Sequence, residues 1–308
     1  RKISETTGGL NAGLEGDEHF GFGVSAIGDL NGDNIPEIAV GAPGFMGNPS
    51  STLNKKTGAV HIIFPDVTGT VTNSVRISQN LAGLNTPLVG GGQHLDLVNM
   101  SGRDGGLFGS DVAGIGDLNG DNIPDLVVGN LGDDDGNTNC GAAWILFLTN
   151  TGQVQGWQKI SATTGNFNGS LNKNDFFGIA VDAIGDLDGD NVMDIAVGAY
   201  GDDDGDTDVG AVYILFMNAN GTVKGHQKIS ATAGGFTGTL VKKDYFGSEV
   251  AAAGDVNNDG VPDIYVGAMG DDDNVLNNNN ADETGAFWLL LLNADGTVAG
   301  HQKFSATT

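Results

Sequence analysis

Apolar residues in this chain come in short bursts bounded by glycine, acidic and amide residues, without the 3.6-residue rhythm of an amphipathic helix. One burst is compact and β-branched, as in "DIAVGA" at Asp194–Ala199. Another is aromatic and aliphatic: "GAVHIIF", "GAAWILFL", "GAVYILFM" and "GAFWLLLL". Small and β-branched residues precede the first kind ("FGIAVDAIGD"), and a polar-rich run follows the second ("HQKISA"). Together they predict units of four short strands. The third and fourth are joined by "NANGTV" or "NADGTV", whose Asn-Gly and Asp-Gly pairs favour tight hairpin turns.

The unit recurs in one register. An acid-rich loop between the first two strands begins at Asp29, Asp117, Asp186 and Asp255, at spacings of 88, 69 and 69 residues. Eight residues upstream stands the glycine of "FG" (Gly21, Gly109, Gly178, Gly247), and twelve downstream that of "VGA" or "VGN" (Gly41, Gly129, Gly198, Gly267). Gly58, Gly141, Gly210 and Gly285 open the third strand, and 18 residues later come Arg76, Lys159, Lys228 and Lys303 in the fourth. The 19 surplus residues of the first spacing fall in two loops, 14 after Arg76 and five before Gly58, as a packed repeat tolerates. Four antiparallel strands repeated radially predict an all-β fold, a β-propeller. We expect one propeller domain or segment over 1–308, with blades at about 20–78, 108–161, 177–230 and 246–305 and an inserted loop at 83–107. Closure of the ring is left open.

The loops carry the candidate chemistry. In the third, "DLDGDNVMD", Asp186, Asp188, Asp190 and Asp194 present carboxylates at positions 1, 3, 5 and 9, and the Val192 carbonyl falls at position 7. Gly189 and Asn191 suit the partly left-handed backbone that folds such oxygens around one point. The corresponding sets are Asp29, Asn31, Asp33, Ile35 and Glu37; Asp117, Asn119, Asp121, Ile123 and Asp125; and Asp255, Asn257, Asp259, Val261 and Asp263. About six hard oxygen ligands in a flexible loop suit Ca²⁺, whereas Mg²⁺ takes fewer protein ligands. No His or Cys occurs in these loops, which argues against zinc and copper. One Asp-rich turn is ordinary. Four in one register point to about four Ca²⁺ sites, each stapling a blade's first strand to its second.

Charge sharpens the picture. Against 39 Asp and Glu stand only 13 Lys and Arg, and the net −26 disfavours nucleic acid and anionic lipid while favouring divalent cations. The loops hold 13 of those carboxylates, which repel one another without a cation. No apolar run approaches 18 residues, so no membrane span is expected. "RKISETTGGL" has no signal-peptide core, so any export signal is expected to be removed or to lie outside this chain. The single cysteine, Cys140, reads as a buried small residue.

"FG", then the acid loop, then "VGAP" at Val40–Pro43 resembles the FG-GAP repeat of the integrin α-subunit β-propeller, across essentially the whole chain. The resemblance implies calcium loops on one face of a propeller, in secreted or cell-surface proteins that bind other molecules. It also carries the metal-ligand roles onto the four sets above, with Glu37 where Asp is more usual. The departures are four blades in place of the family's seven, a full "GAP" only at Gly41–Pro43, and no von Willebrand-type insert. Integrin ligand binding is therefore not carried over.

Three copies bear a second acidic run after the second strand, in which Asp202, Asp204, Asp206 and Asp208 are candidates for a further cation site beside the simpler reading of a solvated turn. His226 and His301 share a repeat position with Trp157, which argues for packing, not ligation. Sequons at Asn99, Asn168 and Asn220 are candidate glycosylation sites. No hydrolase elbow, phosphate loop, metalloprotease helix or Cys/His pair occurs, while a pair of glycosidase carboxylates stays open in so acidic a chain. Fourth-strand text occurs five times, counting "RKIS" at the start, against four of every other strand. A segment of a longer array, a strand displaced from a small ring, or self-association through a surplus edge strand each accounts for that. We expect a calcium-stabilised, non-enzymatic, secreted or cell-surface propeller serving adhesion or a surface or filamentous assembly. The alternative is a glycan-binding or polysaccharide-cleaving propeller.

Overall fold

The computed structural model describes residues 2–47, 56–86, 88, 105–272 and 284–305, and in them the apolar bursts form β-strands without a helix. Strands β1 (Val24–Gly28), β2 (Glu37–Ala42), β3 (Lys56–Pro65) and β4 (Val71–Ile77) pair antiparallel in that order. The meander repeats as β5 (Gly105–Gly116), β6 (Asp125–Asn130), β7 (Ala142–Leu148) and β8 (Val154–Ile160). It repeats again as β9 (Val181–Gly185), β10 (Asp194–Ala199), β11 (Ala211–Met217) and β12 (Val223–Ser230). A last round is β13 (Phe246–Gly254), β14 (Asp263–Ala268), β15 (Ala286–Leu292) and β16 (Val298–Ser305). These four sheets are propeller blades.

The core lies between blades. Strand periodicity of two splits each third strand: Ile145 faces the third blade beside Tyr213 and Leu215, while Trp144 and Leu146 face the first beside Ile62 and Phe64. A third cluster, around Ile214, Phe246 and Leu290, joins the third blade to the fourth. Each blade depends on its neighbours to bury its faces.

The repeat's glycines set how closely blades approach. A Cβ on Gly198 would lie 2.0 Å from the carbonyl oxygen of Gly247 in the next blade. One on Gly247, whose φ is +85°, would lie 2.2 Å from the carbonyl of Ala211. Parallel bridges from Gly58 to Phe108, Gly141 to Phe177 and Gly210 to Phe246 link consecutive blades beside these contacts.

Acidic side chains lace the innermost strands. Asp111 Oδ2 accepts the N–H of Val181, and Asp182 Oδ2 that of Ala252, both at 2.8 Å. Burial pushes the Asp111 carboxyl up to about 7, and repulsion from Glu249 and Asp182 adds to it. A folded-state value raised in this way gives stability that is full below the unfolded value, about 3.9, and is lost as pH rises through about 7. Asp111→Asn should therefore be more stable than the parent above neutrality, by roughly 2–4 kcal/mol, and match it in acid. Parallel melting curves at every pH would refute this.

The two outer faces of the array differ from the inner ones. Val24 on the first blade is 61% exposed, where its counterparts Val112 and Val250 are each 3% exposed. Tyr265, Phe287 and Phe304 are exposed on the fourth blade, where the third buries Ala196, Val212 and Ile229. Among the described residues no strand pairing joins the first blade to the fourth.

The surplus edge strand counted in the sequence is a connector. Ser4 pairs only with Thr7 in a turn, and the Gly8 carbonyl accepts the N–H of Val71 in β4 at 2.8 Å. Gly165 and Gly234 accept from Val223 and Val298 in the same way, so residues 2–10 match the stretches that lead into later blades. Text that forms an outer strand elsewhere pairs with no neighbouring strand here among the described residues. In the inserted loop, Leu84 and Leu88 pack into the core between the first two blades. Asn99 lies outside the described residues.

Candidate metal centres

Each acid-rich loop is the hairpin between a blade's first two strands. Its last acid opens the second strand, in register with the glycine that ends the first: Glu37 with Gly28, Asp125 with Gly116, Asp194 with Gly185, Asp263 with Gly254. In between, the backbone turns left-handed twice. In the third loop this happens at Gly189 (φ +78°) and Asn191 (φ +66°), and in the fourth at Asn258 (φ +63°) and Gly260 (φ +89°). Gly and Asn are the residues that accept such angles at low cost. The two letters exchange places while the shape stays.

That backbone turns its N–H groups toward the first acid. Asp186 Oδ1 accepts from Gly189 at 2.8 Å and Asp190 at 2.9 Å, and its Oδ2 from Asn191 at 2.7 Å. Asp29 and Asp117 hold the equivalent three donors. The closing acid is buried and bonded twice. Asp194 accepts from Leu187 and, at the end of β11, from Met217, both at 2.9 Å. Asp125 does so from Leu118 and Leu148, and Asp263 from Val256 and Leu292. The loop thus fastens the third strand as well as the first two. Sequence reasoning missed this link because the partner N–H lies 23 residues on in the third blade and 29 in the fourth.

The oxygens are crowded. Asp29, Asp33 and Glu37 each bring one carboxylate oxygen within 4.8 Å of the others, as do Asp186, Asp188 and Asp194. These are the groups of that kind among the described residues. Burial pushes Asp194 up to about 6 and Asp125 to about 7 against two N–H donors each, and neighbouring carboxylates add to the rise. Glu37 is raised for the same reasons. The position-5 acid meets a nitrogen donor in every loop. Asn31, Asn119 and Asn257 donate to Asp33, Asp121 and Asp259 at 3.0, 3.1 and 2.8 Å. In the third loop, where Asp188 replaces that Asn, the Lys224 ammonium stands 2.5 Å from both Asp188 and Asp190. Asp188 Oδ1 is buried without a partner. Clustered oxygens, one of them orphaned, and an ammonium standing between two acids fit a hard divalent cation.

The other candidate residues are placed differently. Lys228 lies 2.9 Å from Asp202 and 3.3 Å from Asp204, as Lys159 lies 2.7 Å from Asp133 and 3.2 Å from Asp135. Asp204 also accepts the Ser230 hydroxyl at 2.6 Å, whereas the Asp208 N–H donates to Asp203 at 2.8 Å and Asp206 bonds the next N–H in the turn. Among the described residues the four acids Asp202, Asp204, Asp206 and Asp208 do not converge on one point, and Lys228 pairs with two of them. The basic residue 18 positions after each third-strand glycine was the signal for this pairing. His226 and His301 pack on Phe167 and Phe236, with ring centroids 5.0 Å apart in both cases. Cys140 is buried and unpaired, and Asn168 and Asn220 are exposed.

Four-stranded blades with acid-rich hairpins at one repeat position define a β-propeller built from one acid-loop repeat. The FG-GAP repeat family matches residues 20–63, 108–146, 177–215 and 246–290, more than half of the chain, and the chain belongs to that family. It is similar to integrin alpha-2 of Mus musculus, 31% identical over 175 residues, and to integrin alpha-5 of Xenopus laevis, 31% over 172. Each match covers 56% of this chain but only 12% and 14% of those proteins, so the chain spans a small part of the relatives' length. No helix among the described residues is long and apolar enough to cross a membrane.

Proposed function

We propose that this chain is a calcium-stabilised, non-enzymatic propeller that works outside the cell as a scaffold for adhesion or assembly, offering its loops to a protein or glycan ligand. The observation that carries this reading is one oxygen-rich hairpin repeated on all four blades and tied to the third strand in three of them. Asp29, Asn31, Asp33, the Ile35 carbonyl and Glu37 would hold the ion in the first loop, and the residues at the same positions would do so in the others. Bound Ca²⁺ supplies positive charge that offsets the carboxylate repulsion. The integrin relatives support the adhesion role and a cell-surface or secreted location. The buried acids are engaged by backbone N–H groups and lysines, which supports structural rather than catalytic duty. Replacing Asp186 and Asp190 by Asn should remove one of about four calcium equivalents and about 2.7 kcal/mol of calcium-dependent stability. Calcium titration with melting checks it, and an unchanged stoichiometry counts against the reading.

A second reading, a glycan ligand, is supported by a cavity of about 570 Å³ on the fourth blade, lined by Trp288, His301, Thr237, Thr239 and Asp244 among others. Oligosaccharides should quench tryptophan fluorescence in the parent and not in Trp288→Phe. A panel of neutral and acidic sugars that changes neither spectrum would dismiss it.

A further inference from the structure

The third acid-rich hairpin departs from the other three at position 3. Asp188 stands there, where the others have Asn31, Asn119 and Asn257, so this hairpin holds four carboxylates and each of the others three. The extra charge is answered from the fourth strand. Lys224 follows Val223, whose pairing with Met217 sets it near the start of β12, and its ammonium stands 2.5 Å from Oδ2 of both Asp188 and Asp190. The equivalent pairings of Val71, Val154 and Val298 put Thr72, Gln155 and Ala299 at the same place in the other blades. Gln155 donates at 2.6 Å to Oδ2 of Asp121, the counterpart of Asp190. Thr72 turns instead to the Phe64 carbonyl, 3.0 Å away in its own hairpin, and Ala299 has no donor to offer. One strand position thus presents an ammonium, an amide or nothing to the ligand oxygens of its blade.

We propose that Lys224 is a tethered counter-cation that competes with calcium for the third hairpin, holding it together when calcium is scarce and lowering its affinity for the ion. Lys224 can play this part only if the hairpins take calcium, as proposed above; what it adds is control of one of them. Asp188 and Asp190 supply positions 3 and 5 of the ligand set, and each gives an oxygen to the ammonium. The lysine offsets one of four carboxylates and no more, and Asp188 Oδ1 stays buried with no partner among the described residues. Asp186, Asp188 and Asp194 already bring oxygens within 4.8 Å of one another. A divalent ion among them answers more of the charge, but it is repelled by the ammonium until Lys224 swings out. The lysine is exposed on a flexible four-carbon stem, so water receives it once displaced. The neutral Gln155 imposes no such repulsion on the second hairpin.

Calcium titration calorimetry of the full chain, with melting in chelator and in saturating calcium, compares the parent with Lys224→Gln, which copies the second blade. One calcium equivalent should tighten by about tenfold or more. In chelator the variant should melt below the parent, because four carboxylates then face one another without an ammonium. In saturating calcium the two should melt together. A surface ion pair with no link to the metal would lower both midpoints and leave the titration unchanged, and that pattern overturns the proposal. Gln155→Lys, which brings an ammonium to Asp121, should weaken one equivalent by a similar factor. Acetylation of Lys224 in the parent, read by peptide mass spectrometry, should speed up several-fold when calcium is added, and equal rates overturn the displacement. Calcium at no hairpin refutes the scaffold reading together with this one. Calcium at all four, with every equivalent in Lys224→Gln as in the parent, refutes this one alone.

Discussion

Adding excess chelator should lower the melting temperature of this protein by about 8 °C or more. The figure follows from the two most crowded hairpins alone, those around Asp29 and Asp186. Each site held at a hundred times its dissociation constant adds about 2.7 kcal/mol, and at about 2.1 cal/mol/K per residue 1 kcal/mol moves the midpoint of a chain of 308 residues by roughly 1.5 °C. Chelation leaves carboxylates facing one another with only amide groups, or in the third loop one lysine, to offset them. The loop also anchors the end of the third strand, so the loss should spread into the blade core around Met217 and Leu292. Restoring calcium in excess should restore the midpoint, and magnesium at equal concentration should restore less. A melting curve that ignores the chelator would remove the clamp role.

The second large effect concerns glycine. Gly198→Ala places a methyl group 2.0 Å from the Gly247 carbonyl oxygen, and both partners are backbone, so neither can rotate away. Overpacking in cores usually costs 1–3 kcal/mol. Here the blades must separate to make room, which opens the cluster around Ile214 and Phe246, so the loss should exceed about 3 kcal/mol. Gly267→Ala is the matched control, because at the same repeat position on the fourth blade the nearest described atom to the added methyl is Glu249 Cβ at 3.1 Å, not a backbone carbonyl. Its cost should stay below about 1 kcal/mol. Denaturant unfolding in saturating calcium compares the two. Equal losses would mean that the glycines serve strand geometry and not blade contact.

Much of this was legible from spacing. The strands sit where β-branched and aromatic bursts stand between glycines, because alternation of period two suffices when each face meets a different blade. The shape of the hairpins was equally plain, since Gly189 and Asn191 announce the left-handed turns that the structure contains. What stayed hidden depends on contacts between distant residues. Nothing local marks Asp194 as a partner of Met217, or Lys224 as a neighbour of Asp188 and Asp190. "RKIS" has the letters of an outer strand, but whether those letters form one is set by a neighbouring third strand, and letters alone do not show it. The acids at Asp202 and Asp204 read from sequence as a candidate cation site or a solvated turn, and the Lys228 that the fold sets between them was not visible locally.

The claim underneath is that four acid-rich hairpins cage a divalent ion and thereby hold the blades. A crystal structure at high resolution, grown in millimolar calcium, tests it most directly. It should show one ion per hairpin, ligated by the oxygens at positions 1, 3, 5, 7 and 9, with Lys224 withdrawn from Asp188 and Asp190. Hairpins without an ion, and Lys224 still bridging its two aspartates, would contradict the account.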